Sequence, residues 1–288
     1  MVMHTNTMEP PTTPGSARYR LADYHDYAPA PALARVAEGV WTHRIGPLAQ
    51  LADGAMHRVL PDPALSIAFR CRRDAAGRPI DPELVAIGPK TRPYIFRFSS
   101  GCEIAAVRLK LEWVEPVFGL VPADHHDAEH DLLGTCPFAR AFFDQLVETR
   151  SCGEAAARLA RAVSSCAPDR AAPRTRATAS ALELVRRSSG GMAVDSIARA
   201  TGSSVRQLRR TVRQEAGISI KTYARVIRLL QAVTAADRFA TPLWARIAAD
   251  AGFCDQPHLI RECRALTGLS PGGLHRERRA EAETSNPA

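Results

Sequence analysis

Between Val194 and Gly268 the chain carries one pattern twice, and a repeat of that form admits few folds. The first copy, Val194 to Gly217, has apolar residues around Ile197 and Ala198, then Gly202, then Val205-Arg-Gln-Leu-Arg-Arg-Thr-Val-Arg213. The second copy, Leu243 to Gly268, has apolar residues around Ile247, then Gly252, then a segment opening Gln256-Pro-His-Leu-Ile-Arg261. Each reads as a short helix, a glycine turn and a second helix rich in arginine. Glycine supplies the left-handed backbone such a turn needs. Apolar residues three and four apart give each helix one face to bury. Two helices so joined form the helix-turn-helix unit, whose second helix fits the major groove of DNA.

In the first unit Val205, Leu208 and Val212 share one face and are expected to pack on Ile197 and Ala198. Arg206, Arg209, Arg210 and Arg213 repeat at the same spacing, centred roughly 115° away at 100° per residue. They should face solvent while the helix stays docked, with Gln207 and Gln214 further round. Arginine forks match guanine O6/N7 and glutamine matches adenine. Ser203 or Ser204 is placed to cap this helix. The bland reading is a solvated basic helix in an ordinary bundle.

In the second unit Thr241 is expected as N-cap with Pro242 at the first helical position, and Leu243, Ile247 and Ala251 facing inward. Asp255 should cap the next helix, with Leu259, Cys263 and Leu266 inside. Gln256, His258, Arg261 and Arg264 are the outward candidates for base contact. Between the units Ser219 to Asp237 reads as one helix, a rod of roughly 28 Å. That length approaches the spacing of successive major grooves, about 34 Å.

Charge points the same way. The chain has 288 residues and a formal net charge of +8, and residues 177–288 hold 17 Lys+Arg against 10 Asp+Glu. The remaining residues hold 21 against 20, so the excess lies on the segment with the repeated units. A positive surface there suits phosphates.

The segment Ile247-Ala-Ala-Asp-Ala-Gly-Phe-Cys-Asp-Gln-Pro-His-Leu-Ile-Arg261, with Leu266-Thr-Gly-Leu-Ser-Pro271 behind it, resembles the signature of the AraC/XylS family of bacterial transcription regulators. Val205 to Arg213 and Gly217-Ile-Ser-Ile-Lys-Thr-Tyr-Ala-Arg225 resemble that family's first unit. The resemblance covers about Thr178 to Leu274. It implies base contacts from Arg206, Arg209 and Arg210, and from His258 and Arg261. Leu259 and Cys263 stand where the family usually has aromatic residues, and Pro257 stands where a polar side chain can occur. The second unit is therefore expected to read DNA more weakly than the first.

The expected architecture is an α+β multidomain chain. Residues 1–18 form a tail, 19–133 a β-rich domain, 134–166 a helical pair and 167–176 a linker. Residues 177–275 form the all-α double helix-turn-helix domain and 276–288 a charged, frayed tail. Strands are read from the period of two at Leu65, Ile67 and Phe69, and at Val107, Leu109 and Leu111. Further strands are read at Leu84 to Gly88 and Tyr94 to Phe98. The β-rich part faintly resembles a domain found ahead of some AraC-type DNA-binding domains. That likeness implies small-molecule sensing or homodimer formation, with no effector identified. Trp41, Phe69, Tyr94, Phe96, Phe98 and Trp113 are alternatives as pocket wall or core.

His126-x-x-Glu129-His130 fits a zinc-hydrolase pattern in which both histidines share a helix face. Its setting in Asp124 to Asp131 reads instead as a polar loop, with metal sensing as the intermediate reading. Cys102, Cys136, Cys152 and Cys166 could pair in a redox switch, against the default of buried, inert thiols. The sequence shows no signal peptide and no apolar run of membrane length. The expectation is a cytoplasmic regulator without enzyme activity, cofactor, metal or membrane partner. It would bind double-stranded promoter or operator DNA, with RNA polymerase as a further partner.

Overall fold

The computed structural model describes residues 22–45, 56–97, 101–166 and 176–283. The expected tail at 1–18, most of the linker, Phe98 and the last five residues lie outside them. Strands β1 (Ala22–Tyr27), β2 (Ala37–Ile45), β4 (Leu65–Arg73), β5 (Pro79–Ile87), β7 (Glu103–Leu109) and β8 (Glu129–Asp131) form one antiparallel sheet, ordered β1-β2-β7-β4-β5-β8. Strands β3 (Met56–Val59) and β6 (Tyr94–Arg97) make a separate antiparallel pair. Ten helices follow or interrupt the strands among the described residues. The molecule is thus an α+β chain with a β-rich first half and a helical second half.

Leu65, Ile67 and Phe69 point to one face of the sheet, joined by Val107, Leu109 and Leu84. Helices α2 (Ala139–Leu146) and α3 (Cys152–Cys166) cover that face with Phe142, Leu146, Ala155 and Leu159. Half-burial is corrected for β4, because Ser66 and Ala68 on its other face are buried too. There Ala68, Val85, Ile104 and Ala106 form a small second core, against which Trp41 packs. Trp41 Nε1 donates to Ser66 Oγ at 3.3 Å.

The strand expected to run through Leu111 stops at Leu109. Residues Leu111–Phe118 form helix α1, closed by Gly119 in the left-handed conformation. Leu111, Val114, Val117 and Phe118 are all buried, and a helical turn points these four towards one neighbour. That neighbour is the second half of the chain. The α1 residues share a continuous core with Ala181, Leu182 and Val185 of α4 (Arg176–Arg187), and with Ile197, Leu208, Val212 and Tyr223. At about 1.5–3 kcal/mol for each large apolar side chain buried, this contact is substantial.

A charged cluster sits beside it. Arg186 of α4 donates to Glu112 of α1 at 2.5 Å, to Glu38 of β2 at 3.3 Å and to the Tyr223 hydroxyl at 3.2 Å. Tyr223 in turn donates to Glu38 at 3.2 Å. Burial lifts the Glu38 carboxyl and the Tyr223 hydroxyl above their usual ranges, while Arg186 pulls both back.

Helix α4 begins at Arg176, which the sequence reading assigned to the linker. Helix α10 (Pro271–Glu283) extends into the segment expected to fray. Leu274 is buried and the backbone of Leu274 donates to Ser270, so this helix is anchored at its start. Among the described residues no helix is long and apolar enough to cross a membrane.

Candidate nucleic-acid interface

The first unit consists of α5 (Val194–Ala200) and α6 (Val205–Ala216); the second consists of α8 (Trp244–Asp250) and α9 (Gln256–Thr267). Their turns are built alike. Thr201 N–H donates to Ile197 O, Gly202 to Arg199 and Ser203 to Ala198. Fifty positions further on the pattern recurs, with Ala251 donating to Ile247, Gly252 to Ala249 and Phe253 to Ala248. Gly202 and Gly252 adopt φ of 64° and 76°, where an L side chain is strained. Carbonyls left free at a helix end are thereby satisfied twice in the same manner.

The second helix of each unit is capped as the sequence predicts. Ser204 Oγ accepts from Gln207 N–H at 3.2 Å, and Asp255 Oδ1 accepts from His258 N–H at 2.6 Å. Both helices end on a left-handed glycine, Gly217 and Gly268. Leu208 and Val212 are buried against Ile197 and Ala198, while Val205 is half-buried at the edge. In α9, Leu259, Cys263 and Leu266 are buried.

Arg206, Gln207, Arg209, Arg210 and Arg213 are all exposed on α6. On α9, Arg261 and Arg264 are exposed, while Gln256 and His258 are half-buried. None of these six arginines forms an ion pair among the described residues. Neighbouring cations do: Arg225 holds Glu262 at 2.5 Å and Arg278 holds Asp237 at 2.5 Å. Among the described residues, Arg225 and Arg278, which fasten helices together, are thus neutralised, while the six arginines on the two presented faces are not. An uncompensated cationic face attracts phosphate, and guanidinium forks can bond base edges.

Helix α7 (Ile220–Ala236) joins the units, with Ser219 Oγ accepting from Thr222 N–H at 3.0 Å. Its first turns belong to the first unit's core through Ile220 and Tyr223. Its later turns, Val226, Leu229 and Val233, belong to the second unit's core. Arg225 on this rod grips α9 through Glu262, a link of 37 positions that no local pattern announces.

The start of α8 corrects the sequence reading. Thr241 and Pro242 lie ahead of the helix; Leu243 is the N-cap, without a side-chain bond, and is 71% exposed rather than inward. Trp244 packs inward instead, edge-on to His275 at 6.0 Å. Trp buries more apolar surface than Leu, so its position decides which face the helix turns to the core. Cys263 lies fully buried beneath a shallow surface hollow lined by Trp244, Leu259, Leu274 and His275.

The His segment forms no α-helix; it is a largely exposed turn leading into a short edge strand, as a polar surface segment would be. Residues Pro122–His125 form a 3-10 turn, and Glu129–Asp131 form strand β8 paired to β5. His125 is buried, with its ring 4.7 Å from His130, whereas His126 bonds Thr91 Oγ1 at 3.2 Å. His126 and His130 therefore share no helix face, and Glu129 pairs with Arg70 at 3.4 Å. Among the described residues no three His, Cys, Asp or Glu side chains converge as metal ligands. All seven cysteines are unpaired, including Cys102, Cys136, Cys152 and Cys166. Burial pushes the Cys152 thiol up to about 12 and lifts Cys102 and Cys166 as well, opposite to an activated thiolate.

Residues 197–277 match a family model described as a helix-turn-helix domain, and residues 25–131 match one described as a domain of unknown function. No curated protein matches the chain. Among solved structures, the chain is similar to the C-terminal domain of AraT, a response regulator from Geobacillus stearothermophilus. Identity is 23%, covering 36% of this chain and 86% of that one, with a TM-score of 0.33. An AraC-type DNA-binding domain-containing transcriptional regulator from Chromobacterium violaceum is 26% identical, covering 37% and 91%, with a TM-score of 0.32. Unsaturated fatty acid-bound ToxT from Vibrio cholerae is 11% identical, covering 77% and 90%, with a TM-score of 0.41. Two repeated turns, two capped arginine helices and the family match over 197–277 together lead to one assignment: residues 197–277 form a helix-turn-helix domain.

Proposed function

We propose that the protein is a sequence-specific regulator of transcription that places α6 and α9 in successive major grooves of one duplex. The reading rests on one observation above others: the two presented helix faces carry six exposed arginines that form no ion pair among the described residues, whereas Arg225 and Arg278 beside them are paired. Arg206, Arg209, Arg210 and Arg213, with Gln207, form the reading set of the first helix. Gln256, His258, Arg261 and Arg264 form that of the second. The first helix carries the larger share, because the second has Pro257 in its opening turn and Cys263 in its core.

The β-rich domain over 19–133, followed by the helical pair at 134–166, serves as the sensing or dimerisation part. Its effector is a small molecule, and RNA polymerase is the further partner at the promoter. Selection of binding sites from a random duplex pool tests the reading. Enrichment of one motif is expected; recovery of sequences without a common motif would overturn it.

A further inference from the structure

The second reading helix carries a side chain whose hydrogen-bonding polarity is set by the protein itself. His258 is the third residue of α9, and three contacts hold it. Its backbone N–H donates to Asp255 Oδ1 at 2.6 Å. Its ring stands edge-on to Phe253, with centroids 5.4 Å apart and planes at 85°. Phe253 is itself held beneath the Arg228 guanidinium at 5.6 Å, and Arg228 is tied to Gly190 O at 2.6 Å. The third contact fixes the chemistry: the backbone N–H of Cys254 donates to His258 Nδ1 at 3.4 Å. A backbone amide can only donate, so Nδ1 offers its lone pair. In the neutral imidazole the proton must then lie on Nε2. Nε2 has no partner among the described residues.

We infer that His258 is a specificity-determining residue, a fixed Nε2–H donor that reads the N7 acceptor of a purine in the major groove. The inference deepens the DNA-reading proposal above and rests on it. N7 is the acceptor that guanine and adenine share, whereas cytosine presents an amino donor at the same edge and would meet a second donor. Pro257 has neither an N–H nor a polar side-chain atom, so Gln256 and His258 are the residues of the opening turn able to bond a base. A ring held by Phe253 and the Cys254 amide loses little freedom on binding, unlike the exposed arginine side chains further along α9.

Two readouts test the inference on the full-length protein. Nitrogen-15 correlation spectra of histidine-labelled protein, with the His258 signals identified by H258A, should show the Nε2–H tautomer in the absence of DNA. An Nδ1–H tautomer overturns the inference even if DNA binding is intact. Each purine of the selected site is then replaced in turn by its 7-deaza analogue. Loss of one hydrogen bond should weaken wild-type binding about three- to ten-fold at one purine. H258A should be insensitive to that replacement, and H258Q, which keeps a donor, should regain part of the sensitivity. If no purine shows a 7-deaza effect that depends on His258, the base assignment fails. Absence of any selected site would overturn the DNA-reading proposal instead, leaving the tautomer measurement to stand by itself.

Discussion

At the residue scale the interface is decided by which charges lack partners. Arg210 lies on the exposed stripe of α6 and forms no ion pair among the described residues, so its guanidinium is available for a base edge. Arg210→Ala should cost roughly 1–3 kcal/mol in site affinity and relax preference at one base position. Titration of the variant against the selected site and its single-base mutants checks both effects, and unchanged affinity and preference would remove Arg210 from the reading set. These arginines were legible from sequence because their spacing repeats that of Val205, Leu208 and Val212, which had to face inward. Leu243 was misread for the same kind of reason. The series 243, 247, 251 and the series 244, 247, 248, 251 both fit a helix, and only packing shows that Trp244 wins the inward place.

At the element scale each reading helix depends on one cap. Ser204 and Asp255 satisfy amides that the helix cannot satisfy internally. Ser204→Ala and Asp255→Ala should each cost about 1 kcal/mol, read as a lower urea midpoint at unchanged slope. Asp255→Ala should also weaken DNA binding beyond that loss, because the same carboxylate positions His258. Both caps could be read from sequence, since Ser and Asp precede amphipathic runs. Helix α1 could not. Val107, Leu109 and Leu111 alternate as a strand does, and the helix that starts at Leu111 is fixed by partners in α4 and α6 that are more than sixty positions away.

The 3-10 turn at Pro122–His125 adds a pH dependence. It packs against the end of α6, where Gly217 meets the backbone of Pro122 and Ala123 so closely that a Cβ would lie 2.7 Å from Ala123 N. Burial first, and then the neighbouring His130, lower the pKa of His125, with Asp124 opposing them. Its neutral form is therefore favoured in the folded state. Stability from this group is fully present above its unfolded pKa of about 6.5 and is lost as pH falls below that value. Thermal midpoints should drop between pH 7 and pH 5, and H125Q should show a shallower fall. An identical slope in both proteins would contradict the assignment.

At the scale of the whole molecule the two halves do not hold the reading units equally. The first unit shares one core with the β-rich half through α1, whereas the second has a core of its own. From the β-rich half, Arg58 reaches the second unit, donating to Thr267 O at 2.9 Å and pairing with Glu277 at 2.8 Å. The Arg186 cluster pins the first unit. Glu112 there has only 3% of its side chain exposed, so Arg186→Met leaves a buried carboxylate unpaired. The substitution should cost about 3–5 kcal/mol in urea unfolding, and adding Glu112→Gln should recover part of it. An Arg186→Met loss below about 1 kcal/mol would show that the cluster contributes little to the contact between halves. Nothing in the sequence pattern joins Glu38, Glu112, Arg186 and Tyr223, because each lies on a different element and only the assembled fold brings them together.

The central claim is that uncompensated arginines on two helices read one duplex. The most direct measurement is the salt dependence of affinity for the selected site, compared between the wild type and a variant with Arg206, Arg209, Arg210 and Arg213 replaced by Ala. The wild type should bind the site far more tightly than random duplex and weaken steeply from 50 to 200 mM salt, as counterion release requires. The variant should keep its fold, lose site preference and show a clearly smaller salt slope. A variant that binds the same site with the same slope as the wild type would contradict the account.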